Sequence, residues 1–318
     1  MKELNWNNTD KDNGRIYLAN AKKTYRTNMQ VALYWIDQAI SYFEGEKDSL
    51  CDLAQCYYIK ASLTYADNQE YSRYYFTKSI KTHIEGSKRD LYRTHAFYKF
   101  VGVTMESIES ILNRIMLKHP SDFNDPMDCP IAASPQNGIP DIDLFNGLRI
   151  GCFGVVENNE DQYYTNASKW SYYGDFHKGI CIEYDFSKLD FSNSFALMDK
   201  VKYQKEYTAE RGIVGSGLLT KSCDYAHENE WRIIWFDESL TTHRTVFIDI
   251  QPFMITKIYL GYKCPEKIKM HILEFKSVNS HIQVYDVHPS NDNFYQLCTT
   301  ELTANKYSHG LHGKIFER

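Results

Sequence analysis

Between residues 28 and 86 apolar side chains recur every three or four positions, the spacing of helices that each bury one face. Val31, Trp35, Ala39, Ile40 and Phe43 form the first stripe, with Gly45 as its stop. Leu53, Cys56, Tyr57, Ala61 and Tyr65 form the second, with Asp48 placed to cap it, and Tyr71, Tyr74, Tyr75, Ile80 and Ile84 form a third over 70–85. Residues 1–16 are polar and rich in Asn and Asp, and read as a loose arm. The rhythm ends at the polar break of residues 86–91, so a helical module over 1–88 and a second domain over 89–318 are expected.

Beyond the break the period shortens to two, the signature of strands. Strands are expected at 95–100, 117–119, 148–155, 179–184, 201–203, 231–236, 245–250, 255–260 and 282–285, with helices at 104–115, capped by Thr104, and at 265–275. Residues 126–146 hold Pro126, Pro130, Pro135, Pro140 and Asn137-Gly138, and read as a loop. So few helices among so many strands predict an α+β domain with a mixed, mostly antiparallel sheet rather than a doubly wound one. No Gly-x-Gly-x-x-Gly follows a strand, and Gly215-Ser-Gly217 is too short to serve as a dinucleotide fingerprint.

Within the helical part, residues 50–80 resemble one tetratricopeptide unit. Tyr57 and Ala61 lie in its first helix, 66–70 in its turn, and an aromatic second helix closes on Ile80. Arg73 stands where such a unit normally carries a small residue, and one unit has no neighbour to stack on. The resemblance implies a protein partner for these helices; a cap over the next domain is the plainer reading.

Composition narrows the class. The 318 residues are 43% hydrophobic and 24% charged, ordinary for a globular chain and more than one domain usually needs. A net charge of −5 does not favour unspecific attraction to nucleic acid, although nucleic acid as a modified target stays open. The eight cysteines show no Cys-x-x-Cys pair, so no thiolate zinc site is expected, and no segment is apolar enough for a leader or a membrane span. A cytoplasmic protein with reduced thiols is the expectation. Aromatic content reaches 15%, with 25 Tyr, which suits both packing and the walls of a cleft.

Three polar turns, each beside apolar sequence, carry the candidate chemistry. In the first, Asn124 and Asp125 precede Pro126, which holds Asp125 extended, so that it either ties the loop or faces a cleft. In the second, Trp170, Tyr172 and Tyr173 could stack a flat ring, or Trp170 could anchor the core; His177 sits in a turn before Gly179, where it would titrate near neutrality. In the third, Glu228 and Glu230 share a face if the segment is a strand, with Arg232 beside them. Paired carboxylates suit acid–base work, and an ion pair with Arg232 is the structural alternative. His227 is a weaker candidate. No His-x-x-x-His supports a metal and no Gly-x-Ser-x-Gly announces a serine nucleophile, so metal-free chemistry is expected.

These turns resemble the family described as domain of unknown function 2971, whose members share an Asn-Asp-Pro-x-Asp turn, a Trp-x-x-Tyr…His-x-Gly-x-Cys-x-x-Tyr segment and a Glu-x-Glu-[aromatic]-Arg segment. They stand here at 123–129, 170–185 and 228–232, and with 97–100, 201–203 and 258–261 the resemblance spans about 90–290. The order of parts is also similar to ADP-ribosyltransferases that modify DNA or remove RNA phosphate. That similarity implies NAD as substrate in the cleft of a split sheet, with Glu230 as catalytic acid and Glu228 and His177 beside it. Tyr98, Lys99, Asn124, Asp125, Trp170, Tyr172, Tyr173 and Arg232 would then hold the nucleotide. A setting in bacterial phage defence or a toxin system would accompany it. Two other readings stand beside this one: a non-catalytic regulatory module with a nucleotide-sensing cleft, and a nuclease using His177, Asp125 and Glu230.

Overall fold

The chain begins with helices because its small residues let helices approach closely. A computed structural model describes residues 11–87, 96–125, 128–129, 146–156, 163–191, 194–206, 213–240, 242, 245–293 and 296–303. Helices α1 (Lys11–Thr24), α2 (Met29–Phe43), α3 (Leu50–Thr64) and α4 (Gln69–Ser87) pack in succession, each against the next. Residues 11–16, expected in a loose arm, are the start of α1; residues 1–10 lie outside the described residues.

The helices form two hairpins with the same turn, forty positions apart. Asn28 accepts the Val31 amide at 3.1 Å, and Asn68 accepts that of Tyr71 at 2.9 Å. Thr24 and Thr64 return their hydroxyls to the carbonyls of Asn20 and Lys60 at 2.8 and 2.9 Å. Ala21 and Ala61, Ala32 and Ser72, and Ala39 and Ser79 are the matched small residues, all buried. Ser72 donates to the Ala61 carbonyl at 2.7 Å and Ser79 to that of Ala54 at 2.6 Å, so their hydroxyls are satisfied across α3 and α4. There are thus two matched helical hairpins where the sequence suggested one, and the small residue missed at Arg73 is its neighbour Ser72.

The second part centres on eight strands: β1 (Ala96–Val101), β3 (Leu148–Val155), β4 (Ile180–Asp185), β5 (Phe195–Lys200), β8 (Glu230–Phe236), β10 (Ile255–Leu260), β11 (Gln283–Pro289) and β12 (Leu297–Glu301). Their order is β12-β11-β10-β4-β1-β3-β8-β5. All neighbours run antiparallel except β10 and β11, which are joined through helix α7 (Glu266–Val278) as a parallel pair. The arrangement is α+β with a mixed sheet, as the periodicity indicated. Helix α5 (Ile108–Asn113) is shorter than expected: Thr104 and Ser107 bond to each other ahead of it, and residues 114–117 form strand β2 (Arg114–Leu117). β2 pairs with β9 (Val246–Asp249), and β6 (Lys202–Gln204) with β7 (Thr220–Ser222).

Alternation along β3 and β8 sorts their side chains onto two faces. Leu148, Ile150, Ile234 and Phe236 join the core of the helices, whereas Phe153, Val155, Trp231 and Ile233 join the core behind α7. The sheet is not continuous between β1 and β3. They pair only at Phe97 with Val155 and Tyr98 with Gly154, while β1 pairs with β4 along its whole length. Further along β3, Ile150 is bridged instead by Lys118, with hydrogen bonds of 2.9 and 2.8 Å. A window is left around Cys152, and the Lys99 amine donates to the Cys152 carbonyl across it at 2.9 Å.

Candidate functional site

At one side of this window lies a cleft of about 250 Å³. Its floor comes from the segment leading into β8. A 3₁₀ turn, Cys223–Glu228, ends at Asn229, which adopts left-handed backbone with φ 46° and ψ 56°. Asparagine tolerates this conformation better than most residues, and its amide is fixed to the Val155 carbonyl at 2.8 Å. Glu228 therefore does not share a strand face with Glu230, as alternation suggested; the left-handed turn brings the two carboxylates to the same place by another route.

What gathers them is a pair of buried cations. Lys221 reaches Glu228 at 2.7 Å, Asp128 at 3.4 Å and Glu230 at 3.5 Å. The Arg232 guanidinium, fully buried, donates from Nε to Glu230 at 2.8 Å and from Nη2 to both oxygens of Asp128 at 2.7 and 2.8 Å. Its Nη1 reaches the Leu218 carbonyl at 2.8 Å and Cys129 Sγ at 3.3 Å. Burial alone would raise the Glu230 pKa, but Arg232 and Lys221 outweigh it and hold the carboxyl down at about 2. Burial likewise opposes the charge on Lys221, and the surrounding carboxylates more than restore it. Three carboxylates against two cations leave these five groups with one excess negative charge.

The walls are aromatic. Tyr163 stacks on Tyr98 with ring centres 5.3 Å apart and is pressed from its other neighbour by the Lys169 amine, 3.2 Å from its centroid. Gly154 is required beneath it, since a Cβ there would collide with the Tyr163 ring. Tyr173 donates its hydroxyl to Glu228, and burial followed by that carboxylate pushes its pKa above the ordinary tyrosine range. Asn124 and Asp125 line the opposite wall, so Asp125 takes the cleft-facing alternative. Lys99 also lines the cleft; burial, before any neighbour, lowers its pKa.

Other expected members are elsewhere. His177 is not a wall of the cleft: it closes a run of three left-handed residues, Asp175, Phe176 and His177, and lays its ring along Trp170 at 6.3 Å. Trp170 has no exposure, donates Nε1 to the Tyr164 carbonyl at 2.6 Å and meets Phe100 edge-on at 4.8 Å. Trp170 is thus the core anchor rather than a stacking platform, and His177, laid along it, does not line the cleft. Tyr172 is 79% exposed on the outer surface. His227 is exposed, with Nδ1 3.2 Å from the Asp224 carbonyl. Arg232 lies beneath the floor, not on a wall. The members missed in the sequence are Asp128, Lys118, Lys221, Tyr163 and Tyr225. Asp128 closes the Asn-Asp-Pro-x-Asp turn and Lys221 opens the polar stretch before Glu228, which were readable signals; Tyr163 and Tyr225 gave none.

Residues 169–233 match the model of a family described as "Protein of unknown function (DUF2971)". No match is found among curated proteins or among solved structures. The matching segment contributes Tyr173, Lys221, Glu228, Glu230 and Arg232, while Asp128, Tyr98 and Lys99 come from outside it. No helix among the described residues is long and apolar enough to cross a membrane.

Proposed function

We propose that the DUF2971 segment forms the acidic half of a nucleotide-binding cleft, and that the nucleotide is NAD, cleaved between nicotinamide and ribose. One observation carries the reading: a small aromatic cleft keeps an excess carboxylate beside its floor. Such a place favours a positive charge, first that of the pyridinium ring and then the one that develops on the ribose as the ring departs. The C1′–N bond breaks with its electron pair passing to the nicotinamide nitrogen, which becomes neutral. Water or an acceptor hydroxyl then adds to C1′ and gives up its proton.

The carboxylate for this task is Glu228 rather than Glu230. Both carboxylates have partners at each oxygen, but Glu230 is tied at 2.8 and 3.1 Å by Arg232, which is fully buried and lines no part of the cleft, so Glu230 acts from behind. Glu228 is held by Tyr173 and Lys221 at the cleft wall, where a ribose would meet it. Tyr163 and Tyr173 supply the rings that the exposed Tyr172 and the buried Trp170 do not.

The test is nicotinamide release from NAD by the full chain, read by chromatography. Wild type is expected to release it, and Glu228→Gln to lose about a hundredfold or more in rate while still unfolding cooperatively, with a midpoint lowered by the loss of the Lys221 partner. That Glu228 and Glu230 both have partners at each oxygen favours a second reading, a cleft that senses the nucleotide without cleaving it; NAD bound but intact after long incubation would establish that one. No NAD binding at all would overturn both.

A further inference from the structure

The cleft does not end at its acidic floor. On the other side of the window between β1 and β3 lies a second hollow of about 480 Å³, lined by Val101, Ser107, Ser110, Arg114, Met116 and Phe247 among others. The two hollows have Lys99, Phe100, Lys118, Phe123, Cys152 and Tyr173 as common walls. They therefore meet where β1 has parted from β3 and Lys118 has taken its place beside Ile150.

The cations at this junction differ from those of the floor. Lys221 and Arg232 are neutralised by Asp128, Glu228 and Glu230. Lys99 and Lys118 form no ion pair with any described residue; Lys99 has the Cys152 carbonyl and the Phe153 ring, 4.8 Å away, and Lys118 is tied only through its backbone. Arg114, farther along the second hollow, is paired with Asp249 at 3.0 Å. Burial disfavours the charge on Lys99, the nearby Glu230 carboxylate opposes that effect, and Lys118 adds to it. Two amines at one junction, neither held in an ion pair with a described residue, are stabilised by an anion placed between them.

We infer that Lys99 and Lys118 form an anion subsite at the window, which takes the phosphate or diphosphate of a ligand whose two ends occupy the two hollows. The inference rests on the nucleotide reading of the acidic cleft and extends it: the substrate class is a dinucleotide, not a nucleoside or a free base. The acidic hollow receives the cationic ring and its ribose. The larger hollow, walled by Val101, Met116 and Phe247 with Ser107 and Ser110, receives the second nucleoside. Lys118 is the specificity determinant because it is exposed and free of structural ion pairs, whereas Lys99 also closes the sheet edge.

Titration calorimetry with NAD in the form of its non-cleavable carba analogue, with ADP and with nicotinamide riboside tests the subsite and the acidic floor separately. Wild type is expected to bind NAD about tenfold or more tightly than the riboside. In Lys118→Ala that advantage should disappear while riboside affinity stays unchanged, and Lys118→Arg should restore it. Equal affinity of wild type for NAD and riboside, or equal weakening of both by Lys118→Ala, overturns the subsite. ADP binding that depends on Lys118, with no riboside binding, keeps the subsite and overturns the nucleotide reading of the acidic floor. Absence of binding by all three overturns both.

Discussion

Arg232 has no exposure and divides its guanidinium between Glu230, which precedes it by two positions in β8, and Asp128, more than a hundred residues away in sequence. The near half of this cluster was legible: residues two apart in a strand share a face, so Glu230 and Arg232 had to meet. The far half was not, because the periodicity of one strand contains nothing about which loop closes over it. Replacing Arg232 by Met leaves Asp128 and Glu230 with Lys221 as their only cation, and the loss of a partner from a buried pair costs about 3–5 kcal/mol. Urea unfolding is expected to show that loss, and Arg232→Lys to recover little of it, since one ammonium cannot reproduce the planar fork. The acid limb belongs to the same cluster. Glu230 titrates at about 2 in the folded chain against an ordinary value of 4.5, so its stabilisation is complete above about 4.5 and lost as pH falls towards about 2. His177 lies away from the cleft for a related reason. Its neighbours suggested an exposed turn, but three successive left-handed residues fold that turn back along Trp170.

Among the elements, α2 to α4 and most strands were readable from their stripes, while α1, β2, β5, β7 and β12 were not. Among the described residues of α1, Gly14, Leu18 and Ala21 are buried, a stripe too small-sided to announce itself, and the helix is held by docking on α2. β12 reads Leu-Cys-Thr-Thr-Glu and lies at the sheet edge, where an apolar face is not required. The forty-residue repeat was hidden because its matched positions are small residues and turn polars, not the large aromatics that catch attention. α4 makes the contact that matters next, against β5, and His83 is buried in it. Burial, with a smaller effect from Lys202, lowers the His83 pKa from 6.5 to about 4. Between those values the unfolded chain binds a proton that the folded chain refuses, so stability should decline as pH falls from 6.5 towards 4. Urea midpoints at pH 7 and pH 5 check this: wild type should lose stability over that interval, and His83→Gln should lose less. An unchanged slope in His83→Gln would remove His83 as the cause.

At the scale of the molecule, the α+β class followed from counting strands against helices, but the split between β1 and β3 did not. Strand order and the point where two strands part are set by long-range packing, here by Lys118 taking the edge of β3 at Ile150. That split makes the site: it opens the sheet beside the acidic floor, gives Lys99 its carbonyl partner and places Lys118 at the mouth of both hollows. The helices contribute from behind, since their core continues into Leu148, Ile150, Leu197 and Ile234 and steadies the face from which Arg232 projects. The most direct test is a crystal structure of the full chain soaked with carba-NAD, whose nicotinamide–carbocycle bond cannot be cleaved. Density is expected for the nicotinamide and its carbocyclic ring against Glu228, Tyr163 and Tyr173, and for the diphosphate between Lys99 and Lys118. Density beside His177 and Tyr172 instead, or a cleft that stays empty while the analogue binds elsewhere on the chain, would contradict it.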